Sequence, residues 1–232
     1  MLFRSTQPVI TISNGGELLL TDSPDITGLD GAIVRASSSA NPLRFNMAGG
    51  TLNIMNGSQV KDLYQDGTTD SALYIGDGST LKMSNSATIF GAQASSDDMA
   101  TVKIDGGSLD IDASTIQNTG QTGTALWVEA AGASISSITV KNAAVGIQSY
   151  NGAPQVDGFT LSNNDVGIAV YGGMSLPTIY RSTLLSGQNS GWKTYAIDAS
   201  TFLGNGNKYL QIGANAIYGG GDAHRDRKST RL

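Results

Sequence analysis

Ser162-Asn163-Asn164-Asp165-Val166-Gly167-Ile168-Ala169-Val170-Tyr171-Gly172-Gly173 is the stretch from which the fold can be read. A polar corner (Asn-Asn-Asp) leads into a short apolar run (Val-Gly-Ile-Ala-Val) that ends on a glycine corner. The same phrase stands earlier as Lys141-Asn142-Ala143-Ala144-Val145-Gly146-Ile147-Gln148-Ser149-Tyr150-Asn151-Gly152. Ile147 and Ile168 are 21 residues apart. A unit this short cannot bury its apolar side chains alone. It must stack on copies of itself, so the pattern implies a quasi-one-dimensional repeat architecture.

Three features recur on either side of this phrase. The first is a small-residue-led strand, as in Gly16-Glu17-Leu18-Leu19-Leu20, Gly50-Thr51-Leu52-Asn53-Ile54, Ser79-Thr80-Leu81-Lys82-Met83 and Gly107-Ser108-Leu109-Asp110-Ile111. It continues in Ala133-Ser134-Ile135, Pro154-Gln155-Val156 and Ser175-Leu176-Pro177-Thr178-Ile179. The second ends on one apolar residue: Ile26, Val60, Ile89, Ile116, Val140, Leu161 and Leu184. The third is centred on Ile33, Leu73, Val102, Leu126, Ile147, Ile168 and Ile197. In Leu73-Tyr74-Ile75, Val102-Lys103-Ile104 and Leu126-Trp127-Val128 the alternation has period two, which puts the aliphatic members inside and the middle member outside.

Three short strands per turn, bent by polar or glycine corners, predict an all-β chain: a single-stranded right-handed parallel β-helix of about seven to eight coils. Stacked about 4.8 Å apart, each strand pairs above and below and the aliphatic side chains form ladders. The step from the second feature to the third is 7 residues at Ile26–Ile33, Val140–Ile147 and Leu161–Ile168 and 10 or 13 elsewhere, so insertions are expected at one corner. After Ile197 the pattern weakens, with Tyr209-Leu210-Gln211-Ile212 and Asn215-Ala216-Ile217-Tyr218 as possible continuations. Residues 9–221 read as the β-helix domain, and 1–8 as an irregular lead. Residues 222–232 read as a disordered, non-native tail.

The tail is set apart by composition. Asp226-Arg227-Lys228-Ser229-Thr230-Arg231-Leu232 resembles the in-frame translation of a sequencing-adapter read, the alternative being a natural basic tail. On the first reading the chain is a fragment of metagenomic type, part of a larger multidomain protein. Removing the tail's three basic residues and one acidic residue takes the net charge from −5 to −7.

Composition narrows the function classes. Charged residues make up 14% of the 232, against a usual ~25%, and there are 30 glycines, which suits short strands joined by turns. The acidic balance argues against nucleic acid as a partner. The absence of cysteine removes disulfides, thiolate metal sites and thiol nucleophiles, and the single histidine, His224, leaves no multi-histidine centre. No apolar run reaches the ~20 residues of a membrane helix, so membrane insertion is not expected.

The Asn corner with Val-Gly-Ile-x-Val, followed by Leu176-Pro177-Thr178-Ile179, resembles the right-handed parallel β-helix repeats of the pectate-lyase-like superfamily and of NosD-type surface proteins. The resemblance covers roughly residues 9–218 and implies the fold together with an extracellular or cell-surface location. It implies no particular activity, because lyases, glycosidases, adhesins and tailspikes share the scaffold. It also implies an asparagine ladder at one corner through Asn118, Asn142 and Asn163, with Asp62 and Gly91 in that position earlier.

Outside the core, one column reads Tyr74, Lys103, Trp127, Gln148, Ala169, Asp198; another reads Gly76, Asp105, Glu129, Tyr150, Tyr171. Tyr150 and Tyr171 are expected face to face, with Trp127 near them and Trp192 on the wall of a groove. The flanking loops of that groove are Asn118–Gly123 and Gly187–Lys193. Aromatic platforms suit sugar rings, so Trp127, Tyr150, Tyr171 and Trp192 are the candidate polysaccharide-binding residues. The alternative is an aromatic ladder that only reinforces the stack.

The enzyme alternative rests on Asp105, Asp110 and Asp112. As paired carboxylates they could serve a glycoside hydrolase, or a lyase with Lys82 or Lys103 as base, or hold Ca²⁺. No motif surrounds them, so the leading expectation is a non-catalytic, adhesin-like surface scaffold with no cofactor. A polysaccharide lyase or hydrolase and a purely structural spacer are the alternatives. The glycine-rich pieces are not phosphate loops, since no Gly-Lys-Ser/Thr follows. Regular threonine columns, which a flat ice-binding face requires, are not expected.

Overall fold

The computed structural model describes residues 9–20, 33–35, 44–63, 71–91, 100–119, 122–129, 134–150, 155–171, 178–180, 183–185, 195–198, 211–213 and 216–218. Among them all regular structure is β, with no helix, and every strand pairing is parallel. The first ladder runs through Val9–Ser13, Arg44–Ala48, Ser71–Ile75, Ala100–Ile104, Thr124–Val128, Val145–Tyr150, Val166–Tyr171 and Tyr195–Asp198. The second runs through Glu17–Leu20, Thr51–Ile54, Thr80–Met83 and Ser108–Ile111. The third runs through Ile33–Arg35, Gln59–Leu63, Thr88–Gly91, Ser114–Gln117, Ile138–Lys141, Thr160–Ser162, Thr183–Leu185 and Ala216–Tyr218. The fourth joins Ser134–Ser136, Gln155–Asp157, Thr178–Tyr180 and Gln211–Gly213, and Ser134–Ser136 lies beside Ser108–Ile111 of the second. Within each ladder, neighbouring strands are three apart in chain order, an order compatible with a parallel β-helix.

The core follows from that register. In the first ladder Ile10, Phe45, Leu73, Val102, Leu126, Ile147, Ile168 and Ile197 stand one above another. The second stacks Leu18, Leu52, Leu81 and Leu109. The third aligns Val34, Val60, Ile89, Ile116, Val140, Leu161, Leu184 and Ile217. From Phe45 to Ile168 the first column is buried, as is the third from Val60 to Leu161. Burying a large aliphatic side chain stabilises by roughly 1.5–3 kcal/mol, so these columns supply the main cohesion of the stack.

Several expectations are corrected. Ile33 does not belong to the first-ladder column: its strand pairs with Gln59–Leu63, and the missing member of that column is Phe45. Arg44-Phe45-Asn46-Met47-Ala48 buries Phe45 and Met47 but is diluted by Arg44 and Asn46, which hid it. Ile26 lies outside the described residues, and its expected place is taken by Val34. Asp62 does not take the Asn-corner position, because an irregularity between Val60 and Leu63 sets Leu63 opposite Gly91. Finally, a threonine column does exist. Thr88, Thr115, Thr139, Thr160 and Thr183 are consecutive partners on the third ladder. Unequal connections between strands scatter them in sequence, and only the pairing register aligns them.

The corners explain the opening phrase. Asn142 (φ 62°) and Asn163 (φ 54°) adopt the left-handed backbone that Asn tolerates, and Asn163 Nδ2 donates to Asn142 Oδ1 at 2.8 Å. Asn118 sits in register but departs from this ladder: its Nδ2 donates to Thr122 O (2.9 Å) and its Oδ1 accepts from the Thr101 hydroxyl. The longer corner after Asn118 brings its own carbonyl within reach. A second asparagine rung, between Asn85 Nδ2 and Asn56 Oδ1 at 3.0 Å, stands at the corner between second and third ladders.

The glycine of Val-Gly-Ile is required by space. A Cβ on Gly146 would lie 2.7 Å from Gly167 O and 2.9 Å from Asn164 Nδ2. Asn164, 1% exposed, accepts from Ala143 N–H (3.0 Å) and donates to Val140 O (3.1 Å). It thus ties two corners together across the stack, satisfying buried backbone groups that have no ladder partner.

Candidate functional site

The outer face of the first ladder carries a cluster drawn from three adjacent strands. Period two turns Tyr74, Lys103 and Trp127 away from the core, and the parallel register sets them side by side. Asp105 and Glu129 follow two residues beyond Lys103 and Trp127. The Tyr74 hydroxyl donates to Asp105 Oδ2 at 3.2 Å. Lys103 Nζ lies 2.6 Å from Glu129 Oε2, a close ion pair whose angle falls outside hydrogen-bond geometry, and 4.5 Å from the centre of the Trp127 ring. A cation over an indole face is a favourable contact of about 0.5–2 kcal/mol. Trp127 is partly buried, and its Nε1 is fully covered with no hydrogen-bond partner among the described residues.

This face is less open than alternation alone implies. Lys103, Gln148 and Ala169 all occupy the expected column, yet each is buried. The lysine is long enough to lie flat along the sheet, covering Trp127 on its way to Glu129. Gln148 is held inward because its Oε1 accepts from the Thr124 hydroxyl at 3.0 Å. Trp127 therefore gives one ring face to the protein itself.

Tyr150 and Tyr171 are direct partners in the register, and Tyr150 lies one strand over and two residues along from Trp127. Nothing beyond the backbone is described for these two. Trp192, the loop Gly187–Lys193, and Gly120 and Gln121 of the other flanking loop lie outside the described residues.

The carboxylates of the enzyme reading are spread over two faces. Asp105 belongs to the cluster above. Asp110 is exposed on the second ladder opposite Lys82, and Asp112 is exposed just past the same strand. Among the described residues no three His, Cys, Asp or Glu side chains are grouped so as to hold a metal ion. Sequence reasoning placed Lys103 and Glu129 in adjacent columns but missed their pairing. The signal was available: Lys at one position and Glu two residues along on the next strand is a diagonal that a long side chain spans.

No known protein-family model, curated protein or solved structure matches the chain.

Proposed function

We propose that the chain is a single-stranded right-handed parallel β-helix of about seven to eight coils, serving as a non-catalytic surface scaffold that binds polysaccharide along the outer face of its first ladder. The reading places it outside the cell or on its surface, within a larger multidomain protein, and needs no cofactor. The observation that carries it is the register aligning Tyr74, Lys103 and Trp127 on three adjacent strands and Tyr150 with Tyr171 on the next two. Such a file repeats at the strand spacing, suiting an extended polymer laid along the stack, with aromatic faces for the sugar rings and charged neighbours for their hydroxyls.

The test is retention of the purified chain on a panel of immobilised plant, algal and bacterial polysaccharides. Binding should be lost in the double variant Trp127→Ala, Tyr171→Ala while its circular dichroism is unchanged. Unaltered binding in that variant removes the site, and failure of the native chain to bind any member favours a structural spacer. Turnover of an acidic polysaccharide that Asp110→Asn abolishes would favour the lyase or hydrolase reading.

A further inference from the structure

The charges on the outer face of the first ladder are unequally engaged. Lys103 is the one cation among the described side chains of that face. Its side chain is 8% exposed, with Nζ 2.6 Å from Glu129 Oε2 and 4.5 Å from the centre of the Trp127 ring. Its charge is therefore met within the protein and is not presented to a ligand. The carboxylates are more open. The Glu129 side chain is 30% exposed, Asp105 is half-buried and Asp77 is exposed. Asp105 and Glu129 directly follow the paired residues Ile104 and Val128, so they stand on adjacent strands. Asp77 leans on the corner just past Asp105, where a Cβ on Gly106 would lie 2.7 Å from its Cγ. Three carboxylates thus border the aromatic cluster against one ammonium that is already paired.

Taking this face as a polysaccharide site, as proposed above, we propose that it accepts an uncharged polymer and turns away polyuronates and other polyanions. Ionised carboxylates are acceptors only, which suits the hydroxyls of a neutral sugar. A polyanion repeats its charge from residue to residue. Laid along the stack, it would set negative groups beside Asp77, Asp105 and Glu129, and like charges brought together at an interface exclude the wrong partner. The field that opposes it reaches about 30 Å at 0.01 M salt and about 3 Å at 1 M, so the discrimination is strongest in dilute salt. Stacking of a sugar ring on an aromatic face carries no such dependence. A polycation is not the better fit, because Glu129 already holds Lys103 and Asp105 already accepts from the Tyr74 hydroxyl.

The experiment compares each neutral polysaccharide that retains the full 232-residue chain with its own oxidised form, in which the primary hydroxyls have become carboxylates. The backbone is the same and only the charge differs. At about 0.01 M salt the oxidised form should bind at least about tenfold more weakly, and at about 1 M the gap should close to within about threefold. The double variant Asp77→Asn, Asp105→Asn should narrow the gap in dilute salt, and Asp77→Asn alone serves should the double variant not fold by circular dichroism. Equal or tighter binding of the oxidised forms overturns the proposal. So does an unchanged gap in a folded carboxylate variant, or retention by polycations alone. The two readings fail differently. Binding to acidic polymers that is lost in Trp127→Ala, Tyr171→Ala keeps the site and removes the charge preference, whereas no retention on any polymer removes the site and the preference with it.

Discussion

Replacing Asn164 by Ala should cost far more than its one-residue change in volume suggests. The side chain is 1% exposed and makes two hydrogen bonds to backbone, from Ala143 N–H at 3.0 Å and to Val140 O at 3.1 Å. Truncation removes both partners and leaves a donor and an acceptor without replacement. Each buried, unsatisfied group costs about 1–3 kcal/mol, so the pair should cost roughly 2–6 kcal/mol. Against a typical domain stability of about 5–15 kcal/mol this is a large fraction. At about 2–4 °C per kcal/mol for a chain of this size, the melting temperature should fall by roughly 4–24 °C. Asn164→Asp separates the two bonds: its carboxylate still accepts from Ala143 N–H but sets a negative charge against the Val140 carbonyl. It should therefore be at least as destabilising as Ala, whereas a variant that lost only packing would be rescued by the near-isosteric Asp. Thermal melting followed by far-ultraviolet circular dichroism, with urea denaturation in parallel, measures both. A loss below about 0.5 kcal/mol for Asn164→Ala would refute the reasoning, since that is the range of a surface substitution away from any special contact.

Three further outcomes follow from the same geometry. Gly146→Ala should destabilise by about 1–3 kcal/mol, because its Cβ would meet Gly167 O at 2.7 Å, and the Asn164→Ala background should relieve only the part of the clash due to the amide; a double-mutant cycle in urea measures the coupling. Ile168→Asp places an unpaired charge in the first-ladder column and should abolish cooperative unfolding, seen as loss of the thermal transition. Lys103→Met removes the cation from the Trp127 ring and unpairs Glu129; since the Glu129 side chain is 30% exposed, the cost is held to about 1–3 kcal/mol, and a shift in Trp127 emission in a Trp192→Phe background reports the change.

Much of the architecture was legible because its causes are local. Val-Gly-Ile-x-Val after an Asn corner specifies a short strand and a left-handed turn, and its repetition specifies stacking. The columns from Leu73 to Ile197 and from Val60 to Leu184 could be written down because one aliphatic residue per strand must face the core. The partner relation of Tyr150 and Tyr171 follows from the same count. The start of the first-ladder column was misread because Arg44–Ala48 alternates with polar residues as strong as its apolar ones, while Ile33 lies in a more apolar stretch yet pairs elsewhere.

What the sequence by itself determined, then, is the repeating unit: which residues bend, which extend and which face inward, since these depend on backbone preference and period-two alternation. Only the tertiary structure decided which units become neighbours across corners of unequal length. That choice closed Lys103 over Trp127, gave Asn118 a different partner from Asn142, and set Asn164 against Gly146. It also gathered five threonines into one file. Their separations along the chain share no common period, because a corner can lengthen without disturbing the strands it joins. Hydrogen-bond register between strands, not spacing in sequence, sets what each outer face presents.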